Sequence, residues 1–206
     1  MPRVLAVILL GLYCLAVNAG PVQDVADLVP RAEGGDATAQ FSLGTAYDTG
    51  HGVEQDHLKA ALWYEKAAKQ GHADAQFNLG AMYDEGVGVH GDIKQAIYWY
   101  EHAADQGMPE ASNNLGLIYA SGNSVAQDYE KAFGYFKKAA QKKLPDAQYN
   151  LGLLYQSGLG TRQDLILAFE LFARAKQHNP SAARAYELLF DKLTPHERQT
   201  ALSGLK

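Results

Sequence analysis

Between residues 73 and 105 the apolar positions advance in steps of three and four. Ala75, Leu79, Met82 and Tyr83 stand at i, i+4, i+7 and i+8, and Ile93, Ala96, Ile97, Tyr100, Ala103 and Ala104 form a second stripe of the same kind. Each stripe gathers its apolar side chains on one face of a 3.6-residue helix, so the pattern predicts two amphipathic helices. Between them lies Gly86-Val87-Gly88-Val89, whose glycines suit a turn with positive φ. Asp92 follows where a carboxylate can cap the second helix. The unit is a helical hairpin.

The hairpin recurs. Leu-Gly falls at Leu43-Gly44, Leu79-Gly80, Leu115-Gly116 and Leu151-Gly152, a constant step of 36 residues. The same step links Tyr47, Tyr83, Tyr119 and Tyr155, then Asp56, Asp92, Asp128 and Asp164, then Ala60, Ala96, Ala132 and Ala168. Self-similarity over this many registered positions is the mark of a repeat array. The turns between hairpins are short, and Pro109 and Pro145 suit the first turn of the helix that follows.

Each first helix carries a glycine in its interior, at a local cost of about 1 kcal/mol relative to alanine. A buried crossing of two helices accounts for it. Without a side chain at Gly80 the backbones can approach, and the large Trp99-Tyr100 pair of the second helix can fill the space that remains. Trp63-Tyr64, Tyr135-Phe136 and Leu171-Phe172 are its counterparts.

Leu-Gly-x-x-Tyr followed by Ala-x-x-x-aromatic resembles the 34-residue tetratricopeptide pattern. The longer loop inside the hairpin and the Ala-Gln-Phe/Tyr-Asn-Leu-Gly opening at Ala75 and Ala147 make the chain more similar to the Sel-one-like repeat family. That resemblance implies an all-α fold, a right-handed α-solenoid of tetratricopeptide-like hairpins. It divides the chain into a signal peptide at 1–19, an N-terminal capping segment at 20–36, four repeats at 37–72, 73–108, 109–144 and 145–180, and C-terminal capping helices at 181–206.

The resemblance also implies a function. In such solenoids the first helices line a concave groove that binds extended ligands. With Ala75, Leu79, Gly80 and Tyr83 in the core, the opposite stripe is Phe77, Ala81 and Asp84. Its equivalents are Phe41, Thr45 and Asp48, then Asn113, Leu117 and Ala120, then Tyr149, Leu153 and Gln156. These positions vary while the core repeats, so Phe41, Phe77 and Tyr149 are expected to be accessible for a partner. The residue before Leu-Gly is Ser42, Asn78, Asn114 and Asn150. A carboxamide both donates and accepts, so these asparagines either grip the backbone of a bound segment as a ladder or bond the neighbouring helix.

The ends read as caps. Residues 23–33 contain Pro30 and predict a short, broken helix. Ala182 to Leu193 predicts one more first-type helix, and Thr194-Pro195-His196-Glu197 has capping-box spacing for a last one to about Leu202. Leu188, Leu189, Leu193 and Leu202 are expected to close the core.

Residues 1–19 run apolar from Val4 to Val17 and end Val17-Asn18-Ala19, as a cleavable signal peptide does. About 14 apolar residues fall short of the ~20 that span a bilayer, so no integral span is expected after cleavage. The single cysteine, Cys14, lies in this segment. The mature chain then lacks the disulfide staples of cysteine-rich secreted relatives with penicillin-binding activity, and no glycosylation sequon is present. Both favour a bacterial periplasm.

The net charge of −5 conceals an asymmetry. Residues 20–110 hold 15 Asp and Glu against 5 Lys and Arg, whereas residues 111–206 hold 8 against 12. Lys131, Lys137, Lys138, Lys142 and Lys143 cluster in the third repeat, either as a solvated face or as a docking patch for an acidic partner or acidic lipid headgroups. Net acidity and export argue against nucleic acid. The seven histidines occupy non-equivalent repeat positions, with only His51 and His90 conceivable as loop ligands, and no phosphate-binding loop or nucleophile motif is present. The expected function is therefore non-enzymatic and without cofactor: an envelope scaffold that binds another protein. The resemblance also allows an immunity protein against a secreted, periplasm-acting toxin such as a phospholipase, or a β-lactamase-like hydrolase.

Overall fold

The computed structural model describes residues 25–205, and within them the chain forms eleven helices and no strand. The signal peptide expected at 1–19, Cys14 included, lies outside the described residues. α1 (Val25–Glu33) is followed by four hairpins: α2 (Ala37–Thr49) with α3 (His57–Lys69), α4 (Ala73–Glu85) with α5 (Ile93–Asp105), α6 (Pro109–Ser121) with α7 (Tyr129–Gln141), and α8 (Pro145–Ser157) with α9 (Leu165–Ala175). α10 (Pro180–Lys192) and α11 (Pro195–Ser203) end the array; each helix up to α10 packs chiefly on its neighbours in sequence, and α11 packs on α9.

The chemistry at each helix start is the expected one. Asp56, Asp92, Asp128 and Asp164 are extended residues whose carboxylates accept backbone N–H groups in the first turns of α3, α5, α7 and α9. The loop before each cap is closed by a repeated bond, from Asp56 N to Tyr47 O at 2.8 Å and from Asp92, Asp128 and Asp164 to Tyr83, Tyr119 and Tyr155 at 2.9 Å. Where the turn between hairpins needs the left-handed region, Gly71 and Gly107 supply it. At the third turn Lys143 adopts φ 64° instead, a conformation that costs an L-residue of this kind about 1–2 kcal/mol.

Alanines hold the helices close: Ala60, Ala96, Ala132 and Ala168 are fully buried, as are Ala67, Ala103, Ala139 and Ala175. The interior glycines have the role their sequence position suggests. A Cβ on Gly80 would lie 2.8 Å from Cδ1 of Tyr100, and one on Gly116 would lie 2.5 Å from Cε1 of Phe136. The aromatic pair does not act as one block, however. Tyr100 covers Gly80 of its own hairpin, while Trp99 packs with Ala67, Ala68 and Ala75 toward the preceding one.

The caps depart from expectation in two ways. α1 is continuous through Pro30, because burial of Leu28 and Ala32 against α2 carries it past the exposed proline. At the far end Leu189 and Leu193 close the core, but Leu188 is 56% exposed and Leu202 42%. Leu188 stands where the repeats have glycine. α11 folds back on α9 rather than covering α10 as a second helix would, so no ring faces this position and a leucine fits there in solvent.

Candidate partner-binding surface

The first helices carry two kinds of side chain at the positions expected to face a partner, and their second-helix neighbours sort them. Phe77 is 9% exposed and lies with its ring centroid 5.6 Å from that of Tyr100. Phe41 and Tyr149 are half-buried in the same way, 5.8 Å from Tyr64 and 5.9 Å from Phe172. The expectation of three accessible aromatics is therefore corrected at Phe77, which is buried, while Phe41 and Tyr149 keep partial access. This stripe turns toward the ring of the second helix, where edge and face contacts between aromatics are favourable. Asn113, at the equivalent place in the third repeat, is buried too.

What remains open to solvent runs along Asn78, Asp84, Asn114, Leu117, Asn150, Leu153 and Gln156, with Thr45 and Asp48 before them, each half-buried or exposed. The asparagines do not form a uniform ladder. Burial pushes the Tyr64 hydroxyl up to about 12, and that group faces Thr45 Oγ1 at 3.3 Å, Asp48 Oδ2 at 3.5 Å and the Asn78 carboxamide of the next repeat. Burial raises Tyr100 as well, and the Asn114 side chain of the next repeat stands against its hydroxyl and partly offsets the shift. In the third hairpin the ring is Phe136 and offers no hydroxyl. Asn150 donates instead to Asn113 Oδ1 at 3.0 Å, across from α8 to α6. Two asparagines tie repeats together through tyrosines, and the third forms an amide pair at the one place in the aromatic row without a ring.

Charge divides the surface. Asp48 lies in the last turn of α2, and Asp84 and Glu85 close the last turn of α4, where neither helix has a basic residue. Asp84 keeps solvent access, yet partial desolvation raises its pKa. Desolvation raises that of Glu85 too, followed by the nearby charges of Asp84 and Asp48. Asp48 is paired with His57 Nδ1 at 2.8 Å. The equivalent positions in α6 and α8 are Ala120 and Ser121, then Gln156 and Ser157. Glu85 and the tyrosine hydroxyls were not singled out from the sequence. The available signal was register, since Glu85 replaces Thr49, Ser121 and Ser157, and Tyr64 and Tyr100 give way to phenylalanine after the second repeat.

The lysines of the third repeat are exposed on α7 and the turn after it. Lys131, Lys137 and Lys138 lie 4.9, 5.9 and 5.6 Å from the ring centres of Tyr119, Phe133 and Tyr135. Among the described residues no group of three or more His, Cys, Asp or Glu is placed to hold a metal ion, and no helix is long and apolar enough to cross a membrane.

These features define an all-α solenoid of short hairpins with a constant frame and a varied face. The Sel1 repeat pattern matches residues 37–72, 73–108, 109–144 and 145–180, and the chain belongs to the Sel1 repeat family. It is similar in structure to a protective antigen of uropathogenic Escherichia coli with an SLR fold, at 33% identity and a TM-score of 0.80. It is also similar to a Sel1 repeat protein from Oxalobacter formigenes, at 36% identity and a TM-score of 0.73. The matches cover 83% and 82% of this chain but only 37% and 50% of those proteins, so the chain spans half or less of their length. An immunity protein from Pseudomonas aeruginosa matches at 22% identity and a TM-score of 0.45, over 74% of this chain and 72% of that one, too distant to bear on function. No curated protein matches. Sel1 repeats are protein-interaction modules.

Proposed function

We propose that the protein is a non-catalytic scaffold of the bacterial envelope, exported by residues 1–19, that holds a partner protein against the face formed by α2, α4, α6 and α8. The observation that carries this reading is the contrast within each first helix. Its buried side keeps Ala, Leu and Gly at 39, 43 and 44, at 75, 79 and 80, at 111, 115 and 116 and at 147, 151 and 152, while on the open side Thr45 and Asp48 give way to Ala81 and Asp84, then to Leu117, then to Leu153 and Gln156. A frame that is constant where it packs and different where it meets solvent is suited to recognition.

A photo-crosslinking residue introduced at Leu117 should capture one partner in envelope extract, and the same residue at the exposed Gly134 on α7 should not. Equal capture from both positions would remove the groove from the function. Export is tested on the purified periplasmic protein, whose mass should correspond to a chain beginning at Gly20. Turnover of a chromogenic β-lactam by pure protein would overturn the non-catalytic assignment.

A further inference from the structure

The open face is electrically unfinished at one end. Among the described residues the carboxylates of Asp84 and Glu85 take part in no ion pair or hydrogen bond, and that of Asp48 meets His57 and the Tyr64 hydroxyl. All three lie in the last turns of their helices, where the aligned backbone dipoles leave about half a negative charge. Like charges at a helix C-terminus are unfavourable. No lysine or arginine in those turns relieves them, and partial burial makes Asp84 and Glu85 hold their protons more tightly than free carboxylates, with the charges of Asp84 and Asp48 adding to the effect at Glu85. A local rule broken without compensation inside the molecule marks a place where compensation comes from outside.

The other end of the same face differs in kind. Leu117, Leu153 and Tyr149 are half-buried and present apolar surface, and the Asn113–Asn150 pair adds a carboxamide where the first two hairpins spend theirs on tyrosine hydroxyls. That pair also shows α6 and α8 to be direct neighbours. Packed helices lie roughly 10 Å apart and an extended chain advances about 3.3 Å per residue. A segment crossing from α4 to α6 or α8 therefore places side chains about 3 to 6 residues apart on the two ends.

We propose that the groove takes an extended segment of its partner with one or two Lys or Arg at the end lying on α2 and α4, and apolar side chains about 3 to 6 residues away against α6 and α8. This rests on the reading that the groove is the docking face. The cations would complete the carboxylates of Asp48, Asp84 and Glu85, and the apolar residues would cover Leu117 and Leu153.

A random dodecapeptide library displayed on phage is selected on the wild-type protein and on the D84N/E85Q double variant, both of which keep their helices because neither carboxylate has a structural partner. The best wild-type peptide is then synthesised with a benzophenone at its apolar residue. The expected result is enrichment of Lys or Arg at that spacing on the wild type and its loss on the variant. The synthetic peptide should bind the variant about tenfold more weakly, with a gap that shrinks as salt is raised, and its crosslinks should map to α6 and α8. Enrichment of neutral or acidic peptides, or of Lys and Arg equally on both proteins, would overturn the partner chemistry while leaving the groove in place. Crosslinks outside α2, α4, α6 and α8, or no enrichment at all, would overturn the groove and the proposal with it.

Discussion

In the first two hairpins the ring that covers the glycine is tyrosine, and an asparagine of the following repeat stands against its hydroxyl; in the last two it is phenylalanine, where Asn150 bonds Asn113 instead and Tyr186 takes the asparagine's place after the fourth. The first half also closes its helices with Asp48, Asp84 and Glu85, where the second half has Ala120, Ser121, Gln156 and Ser157. Packing in the two halves is the same: ring on glycine, alanine on alanine, aspartate on helix start. A repeat frame tolerates this because its stability comes from neighbour-to-neighbour burial. One oxygen atom, present in Tyr100 and absent from Phe136, decides whether a groove asparagine turns to the ring of the preceding hairpin or to a neighbouring carboxamide.

The comparison is broken most severely at a position both halves share. Gly80→Leu drives a side chain into Tyr100 and should cost about 2–3 kcal/mol, lowering the melting temperature by roughly 4–12 °C for a chain of this size. A melt unchanged within ~2 °C would sink the account of the glycine. Next is the hydroxyl itself. Tyr100→Phe makes the second hairpin resemble the third and should cost about 1 kcal/mol, the net worth of a hydrogen bond. Asn114→Ala should cost a similar amount in the wild type and little once Tyr100 is already phenylalanine, whereas Asn150→Ala should cost about 1 kcal/mol by breaking its bond to Asn113. Equal losses at Asn114 with and without the Tyr100 hydroxyl would show that this contact does not matter.

Gly134 is a helix glycine with nothing near it. Gly134→Ala should therefore raise stability, by up to about 1 kcal/mol, where Gly80→Ala lowers it. A fall at Gly134 would mean that its surroundings are tighter than the structure shows. The smallest effect belongs to the acidic end. Because the folded protein raises the pKa of Asp84 and Glu85, their ionisation opposes folding, and this penalty is present above the raised values and relieved as pH falls through them. D84N/E85Q should thus be slightly more stable than wild type at pH 7, within about 0.5 kcal/mol because solvent screens both groups. The advantage should vanish once the pH is below the ordinary carboxylate range near 4. An advantage that is the same at both pH values would assign it to something other than charge.

Much of this was legible from spacing alone. The 36-residue step located four hairpins, Leu-Gly-x-x-Tyr located the crossings, and the aspartates at 56, 92, 128 and 164 located the second helices, because each feature depends on a few residues within one turn of one another. The open face was read less well. Phe77 and Asn113 were assigned outward from the helical wheel of the first helix by itself, and a wheel cannot say how far the next helix's ring reaches round it. Leu188 was assigned inward on its apolar character, although only the direction taken by α11 settles what faces it.

The sequence by itself determined the repeat, the hairpins, their caps and the small residues at their crossings, since these follow from local periodicity and from backbone requirements that few residues meet. Tertiary structure alone decided which asparagines are committed to tyrosine hydroxyls, that Asp48, Asp84 and Glu85 come close enough to act on one another, and that the end of α10 stays open. Those outcomes depend on side chains about 36 residues apart meeting across the stack, and the distance between them is set by how the hairpins pack, a quantity no single segment contains.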